Sequence, residues 1–220
     1  MTREKEPKNC AMMVKRGNHH DGGYAAVSED VFSDTNDFKY IDIPEAFHSR
    51  ETGRPFEECL VCGRQLRGGD VVYMIEKAYR GGETLYDYAV CLDCYLDLVE
   101  NLSHASLTAI EGYFAERVDF ELRQIEMMAI APHRVEPWID HCVVTRAPIG
   151  REDEYQAFAV CQGSQLILGY YPYAVCEAVV EELYPLLSKQ TRDEIDRFTR
   201  DYLGLPPELL RDPHNLHVFV

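Results

Sequence analysis

Four cysteines carry the most specific chemistry in this chain. They form two pairs of equal spacing, Cys59-Leu-Val-Cys62 and Cys91-Leu-Asp-Cys94, with 28 residues between them. Zinc prefers four ligands at the corners of a tetrahedron, and thiolate sulfur suits it. A Cys-x-x-Cys turn sets two sulfurs on one side of a tight loop. Gly63, directly after the first pair, tolerates the positive φ that such a loop requires. Two matched pairs read as one closed site, with no position left for water or substrate. The expectation is one structural zinc per chain, held by Cys59, Cys62, Cys91 and Cys94. A redox Cys-x-x-Cys is disfavoured, because such motifs stand singly near a βαβ pattern. Ligand type alone leaves iron open.

A hairpin has to bring the two pairs together. Residues 70–79 and 83–90 flank Arg80-Gly81-Gly82, and Val71, Tyr73 and Ile75 alternate as a half-buried strand requires. A helix follows, with Leu92, Tyr95, Leu96, Val99 and Leu102 at steps of three and four. The second pair then lies at a helix start, where unpaired N–H groups and the positive dipole end favour thiolates. Knuckle, hairpin and helix together resemble the treble-clef zinc fingers over residues 59–102. The resemblance implies zinc binding and no particular activity, since that superfamily serves varied functions.

The same plan recurs further along. Tyr88-Ala89-Val90-Cys91 matches Tyr173-Ala174-Val175-Cys176 at an offset of 85 residues. That offset also relates Leu98 to Leu183, Leu102 to Leu187, Ser103 to Ser188, Ile110 to Ile195 and Tyr113 to Phe198. Cys59 relates to Cys142 at an offset of 83. A second hairpin is expected over 155–161 and 165–171, around Gln162-Gly163-Ser164. The reading is an internal duplication whose second copy is degenerate: Cys142 and Cys176 persist, while Thr145 and Val179 stand where Cys62 and Cys94 would be. Valine has no ligand atom. Two sharper alternatives attach to this half. His141 would join Cys142 and Cys176 in an incomplete site with water as fourth ligand, or the two cysteines would form a reversible disulfide.

Ser103 and Ser188 read as helix N-caps. The helix after Ser103 is expected to run to about Met128, with Leu107, Ile110, Phe114, Val118 and Leu122 inward. Residues 131–137 read as a linker, and Trp138 as a plug between the halves. Residues Leu216 to Val220 alternate like a strand. Tyr170, Tyr171 and Tyr173 form an aromatic run that reads as part core, part partner surface. His19 and His20 read as solvated, and Cys161 has no histidine that the sequence places beside it.

The 220 residues are 46% hydrophobic and carry a net charge of -16. Residues 1–55, 56–131 and 132–220 carry net charges of -2, -8 and -6, so the acidity belongs to the folded part. Such a surface repels phosphate backbones and anionic membranes. A basic patch at Arg64 and Arg67 would be needed for nucleic acid. No apolar run approaches the roughly 20 residues of a membrane span, and MTREKEPK is not followed by an apolar core. The expectation is a soluble cytoplasmic protein.

The fold class expected is α+β. Residues 1–38 form a flexible arm, 39–131 a zinc-binding repeat, and 132–220 a degenerate repeat packed with the first. The leading function is a non-enzymatic protein-interaction or adaptor module with structural zinc and a protein partner. The acidic surface reads first as a solubility device, and in its sharper reading as a face shaped for a basic partner. The alternatives are a zinc- or thiol-dependent enzyme centred on the second repeat and a zinc-finger nucleic-acid-binding regulator.

Overall fold

The computed structural model describes residues 38–150 and 153–204. The chain divides into two units, Met1–Phe38 and Lys39–Val220, and the fold is that of the second. His19, His20 and the strand expected near Val220 lie outside the described residues.

The described residues form a mixed α+β fold of one antiparallel sheet and six α-helices. The strands are β1 Lys39–Asp42, β2 Val72–Arg80, β3 Glu83–Cys91, β4 Tyr155–Gln162, β5 Gln165–Leu168 and β6 Tyr173–Cys176. The sheet order is β1-β5-β4-β2-β3, and β6 also pairs with β4. The helices are α1 Leu92–Glu100, α2 His104–Arg117, α3 Phe120–Ile130, α4 Glu136–Ile139, α5 Glu177–Leu183 and α6 Lys189–Phe198.

β2 is the centre of the sheet. It pairs with β3 on one side and β4 on the other, so both of its edges and both of its faces are covered. This is why Ile75, Glu76, Lys77 and Ala78 are all buried, although residues 71–75 alternate in the manner of a half-exposed strand. Two charged residues inside the sheet need partners. Glu76 accepts hydrogen bonds from the hydroxyls of Tyr86, at 3.1 Å, and of Tyr88. Lys77 donates to the carbonyl of His48 and lies 3.4 Å from Asp87.

The two faces are covered differently. On the Glu76 face, Tyr88 packs against Phe198 of α6 and Tyr173 against Phe120 of α3, with ring centroids 5.3 and 5.6 Å apart. On the Lys77 face lies the segment after β1, where the Tyr79 hydroxyl donates to the Ala46 carbonyl at 3.3 Å and Phe47 is fully buried.

The structure corrects several sequence expectations. β2 starts at Val72 rather than at Asp70, and β3 extends to Cys91, so the third cysteine ends a strand. The strand expected over 165–171 stops at Leu168. Pro172 has no N–H to give a ladder, and the chain leaves β4 over residues 169–172 before β6 rejoins it. β5 pairs with β4 as the expected hairpin, and its other edge pairs with β1.

The helix expected to reach Met128 breaks after Arg117. Val118 is extended, and the Asp119 carboxylate accepts from the Leu122 N–H at 2.9 Å, which starts α3 afresh. Ile110, Phe114 and Val118 face inward as expected, but the break changes the phase. Leu122 turns outward, and Arg123 turns in. The Arg123 guanidinium donates to the carbonyls of Trp138 at 2.7 Å, Pro172 at 2.9 Å and Tyr170 at 3.4 Å. Trp138 is buried and donates to the Ala131 carbonyl at 3.0 Å. Residues 131–137 are therefore more than a linker, since α4 opens at Glu136.

Ser103 caps α2 and Ser188 caps α6, each accepting from an N–H three residues on at 3.2 Å. The two caps also cross. The Ser103 N–H donates to Thr191 Oγ1 at 3.0 Å, and the Ser188 N–H donates to Ser106 Oγ at 2.8 Å.

Candidate metal centre

The first cysteine turn is built by backbone bonds. The Cys59 N–H donates to the Arg64 carbonyl and the Gly63 N–H to the Cys59 carbonyl, both at 2.9 Å. Gly63 has φ 68°, the left-handed conformation that glycine adopts without steric cost. The Leu60 N–H donates to the Ala89 carbonyl at 2.9 Å and fixes the turn to the end of β3. Cys91 closes β3 and is the N-cap of α1, and Cys94 lies in the first helical turn.

This local geometry brings the four sulfurs together. The Cys91 N–H donates to Cys59 Sγ at 3.3 Å, and the sulfurs of Cys62 and Cys91 lie 3.8 Å apart. All four ligand atoms lie within 4.8 Å of one another. A zinc tetrahedron with Zn–S bonds of about 2.3 Å has S–S edges of roughly 3.8 Å. The donor set therefore fits a metal ion such as zinc. Cys59, Cys91 and Cys94 are buried, and Cys62 is exposed.

The electrostatics point the same way. Burial pushes the Cys59 thiol up, but the N–H groups of Cys91, Cys62 and Val61 outweigh it and bring the thiol down to about 7. Burial pushes the thiols of Cys91 and Cys94 up; the N–H and side chain of Cys94 oppose the rise at Cys91 while Cys59 adds to it, and at Cys94 the sulfurs of Cys62, Cys91 and Cys59 all add to it. Four clustered thiolates need a cation to offset their mutual repulsion, and a divalent metal supplies that charge. Arg64 is not available as a bare positive group. It donates to Asp93 at 2.5 Å, and that bond, with the charge of Cys91, holds its pKa up.

The second cysteine turn repeats these bonds at the offsets read from the sequence. The Cys142 N–H donates to the Ala147 carbonyl and the Arg146 N–H to the Cys142 carbonyl, both at 2.9 Å. The Val143 N–H donates to the Ala174 carbonyl at 2.7 Å, and the Cys176 N–H to Cys142 Sγ at 3.4 Å. Thr145 Oγ1 lies 3.8 Å from Cys176 Sγ, where the first turn has Cys62 and Cys91. Arg146 takes the place of Gly63 and has φ 61°. Burial raises the Cys142 thiol, but the Thr145 side chain and N–H and the Cys176 N–H outweigh it and lower it. Val179 is buried and offers no ligand.

His141 does not complete a second site. It is exposed, and its Nδ1 lies 2.7 Å from Asp140. Among the described residues, Cys59, Cys62, Cys91 and Cys94 form the one group of three or more side chains arranged to hold a metal. Cys142 and Cys176 are free thiols. Cys161 is buried, which pushes its thiol up to about 12. Tyr170, Tyr171 and Tyr173 are half-buried or buried, with Tyr171 and Tyr173 stacked at 4.9 Å, so they pack inward.

Fold and site together define a mixed α+β chain with a four-cysteine cluster suited to a metal such as zinc. Comparison with protein-family models, curated proteins and solved structures finds no match to this chain. Among the described residues, no helix is long and apolar enough to cross a membrane.

Proposed function

We propose that this chain is a zinc protein whose single four-cysteine site is structural, and that it acts as a non-enzymatic protein-interaction or adaptor module. The observation that carries the proposal is the sulfur cluster, with all four ligand atoms within 4.8 Å. Four thiolates fill the positions zinc prefers and leave none for a substrate. The ion ties the Cys59 turn to the β3–α1 junction, so metal binding contributes folding free energy directly, on the order of 10–16 kcal/mol in small finger peptides.

The treble-clef reading of residues 59–102 and the duplication belong to the same proposal. The turn, the β2–β3 hairpin and α1 occur in treble-clef order and supply the ligands in two pairs. The duplication is supported by the matched bonds of the two cysteine turns, by Arg146 at the place of Gly63, and by the crossed caps of α2 and α6. On this reading residues 39–131 are the zinc-bound copy and 132–220 the degenerate one, packed as one body and preceded in sequence by an N-terminal arm. In the second copy, buried side chains including Val179 hold what the metal holds in the first. An acidic chain of net charge -16 favours a basic protein partner, and the Arg64–Asp93 pair removes one of the two basic groups that nucleic acid would need.

Elemental mass spectrometry of the purified chain and of Cys62→Ser tests the proposal. One zinc per chain, lost in the variant together with cooperative folding, is expected. A folded chain without zinc, or a second metal kept in the variant, would overturn it.

A further inference from the structure

α3 is built inside out. Arg123 and Gln124 are buried beneath it, whereas Leu122, Ile125 and Ile130 are 51%, 68% and 67% exposed. Leu122, Ile125 and Ala129 follow steps of three and four, so they share the outward face with Glu126. Ile125 and Ile130 are the most exposed large apolar side chains among the described residues. An apolar surface rimmed by charge marks a place of association, and here it lies on a strongly acidic chain.

The charges beside the ridge have one sign. Asp119, Glu121 and Glu126 are exposed along the start of α3 and the turn before it, and Glu116 is paired with Arg117. The two arginines in this stretch are engaged. Arg117 lies 3.4 Å from Glu116, and Arg123 points inward to three carbonyls. The chain beyond Ile130 carries His133 and Arg134, so the acidic end is the N-terminal one.

We propose that the outward face of α3 docks an amphipathic segment of a partner protein that presents an apolar stripe flanked by Lys or Arg. The apolar stripe covers Leu122, Ile125 and Ala129, with Ile130 at the C-terminal edge of the exposed ridge, and the basic side chains align with Glu121 and Glu126. This is helix recognition through residues at steps of three and four, with charge setting orientation and encounter rate. The inference rests on the protein-interaction reading above and names its surface.

The test uses the full zinc-loaded chain and a labelled synthetic helix of leucines at steps of three and four with lysines elsewhere. Binding is read by fluorescence anisotropy. Leu122→Ser/Ile125→Ser/Ile130→Ser should weaken binding at least tenfold, and Glu121→Gln/Glu126→Gln should weaken it and flatten its salt dependence. A counterpart helix with glutamate in place of lysine should not bind. Unchanged binding to the serine variant would overturn the proposal, because the lysines would then be reading general acidity. Sedimentation that finds a wild-type dimer made monomeric by Ile125→Ser would assign the ridge to a second copy and overturn it. Carbene footprinting that finds Leu122 and Ile125 protected in the free monomer would assign it to the chain's own segments, with the same consequence. Zinc content and unfolding midpoint are read on the same samples. A variant with one zinc, wild-type stability and undiminished binding removes the ridge alone, whereas a zinc-free wild type removes the reading beneath it.

Discussion

The hydroxyl of Ser188 donates to the hydroxyl of Ser103 at 2.8 Å, while each serine caps its own helix. The two residues are 85 positions apart, the offset that also relates Cys91 to Cys176. Ser106 and Thr191, both buried, complete the hydroxyl cluster by accepting from the backbone N–H of the opposite cap.

This arrangement makes the caps interdependent. Ser103→Ala and Ser188→Ala should each cost about 1 kcal/mol or more, the usual loss for an N-cap. Because each single change leaves the partner's cluster with an unfilled bond, the double variant should cost less than the sum, by roughly 0.5 kcal/mol or more. Urea unfolding of the four proteins measures the coupling, and strict additivity would mean that the caps act separately.

Arg146 holds a backbone conformation suited to glycine, with φ 61°. A side chain in the left-handed region costs on the order of 1–2 kcal/mol. Arg146→Gly should therefore raise stability by about 1 kcal/mol, less the added freedom of the unfolded chain. An unchanged or lower unfolding midpoint would contradict this.

Thr145 and Val179 are the two positions at which the second cysteine turn lacks sulfur. Thr145 Oγ1 already lies 3.8 Å from Cys176 Sγ, and the Val179 N–H approaches Cys176 as the Cys94 N–H approaches Cys91. Thr145→Cys/Val179→Cys should create a second zinc site and raise the metal content from one to two per chain. A folded double variant that still binds one zinc would count against the duplication.

Burial raises the Cys161 thiol from its ordinary 9.0 to about 12. The folded state therefore keeps its proton where the unfolded state releases it. Stability from this group is complete below about pH 9 and is lost as pH rises toward 12. Between about pH 8 and pH 10 the wild type should lose roughly 1.4 kcal/mol more than Cys161→Ala. Equal losses in the two proteins would show that Cys161 is not insulated from solvent.

The four-cysteine cluster was legible because each pair is local in sequence and its spacing alone restricts the geometry. The hairpin was legible to within two residues at β2, since Gly81-Gly82 marks the turn. The burial of Glu76 and Lys77 was not. It depends on β4, some eighty residues later, covering the second edge of β2, and no local pattern carries that. The break at Asp119 was hidden because Ile110, Phe114, Val118 and Leu122 keep helical spacing across it. Asp119 is a cap only because Val118 is extended. Pro172 did carry a signal against a continuous second strand: β5 ends at Leu168 and the chain returns to β4 as β6 from Tyr173, while the pairing of β5 with β1 joins segments too far apart in sequence for a local pattern to show.

X-ray absorption at the zinc K-edge of the purified chain tests most directly whether four sulfurs hold one zinc. A single shell of four sulfurs at about 2.3 Å is the expected result. A first shell containing nitrogen or oxygen, or fewer than four sulfurs, would contradict it.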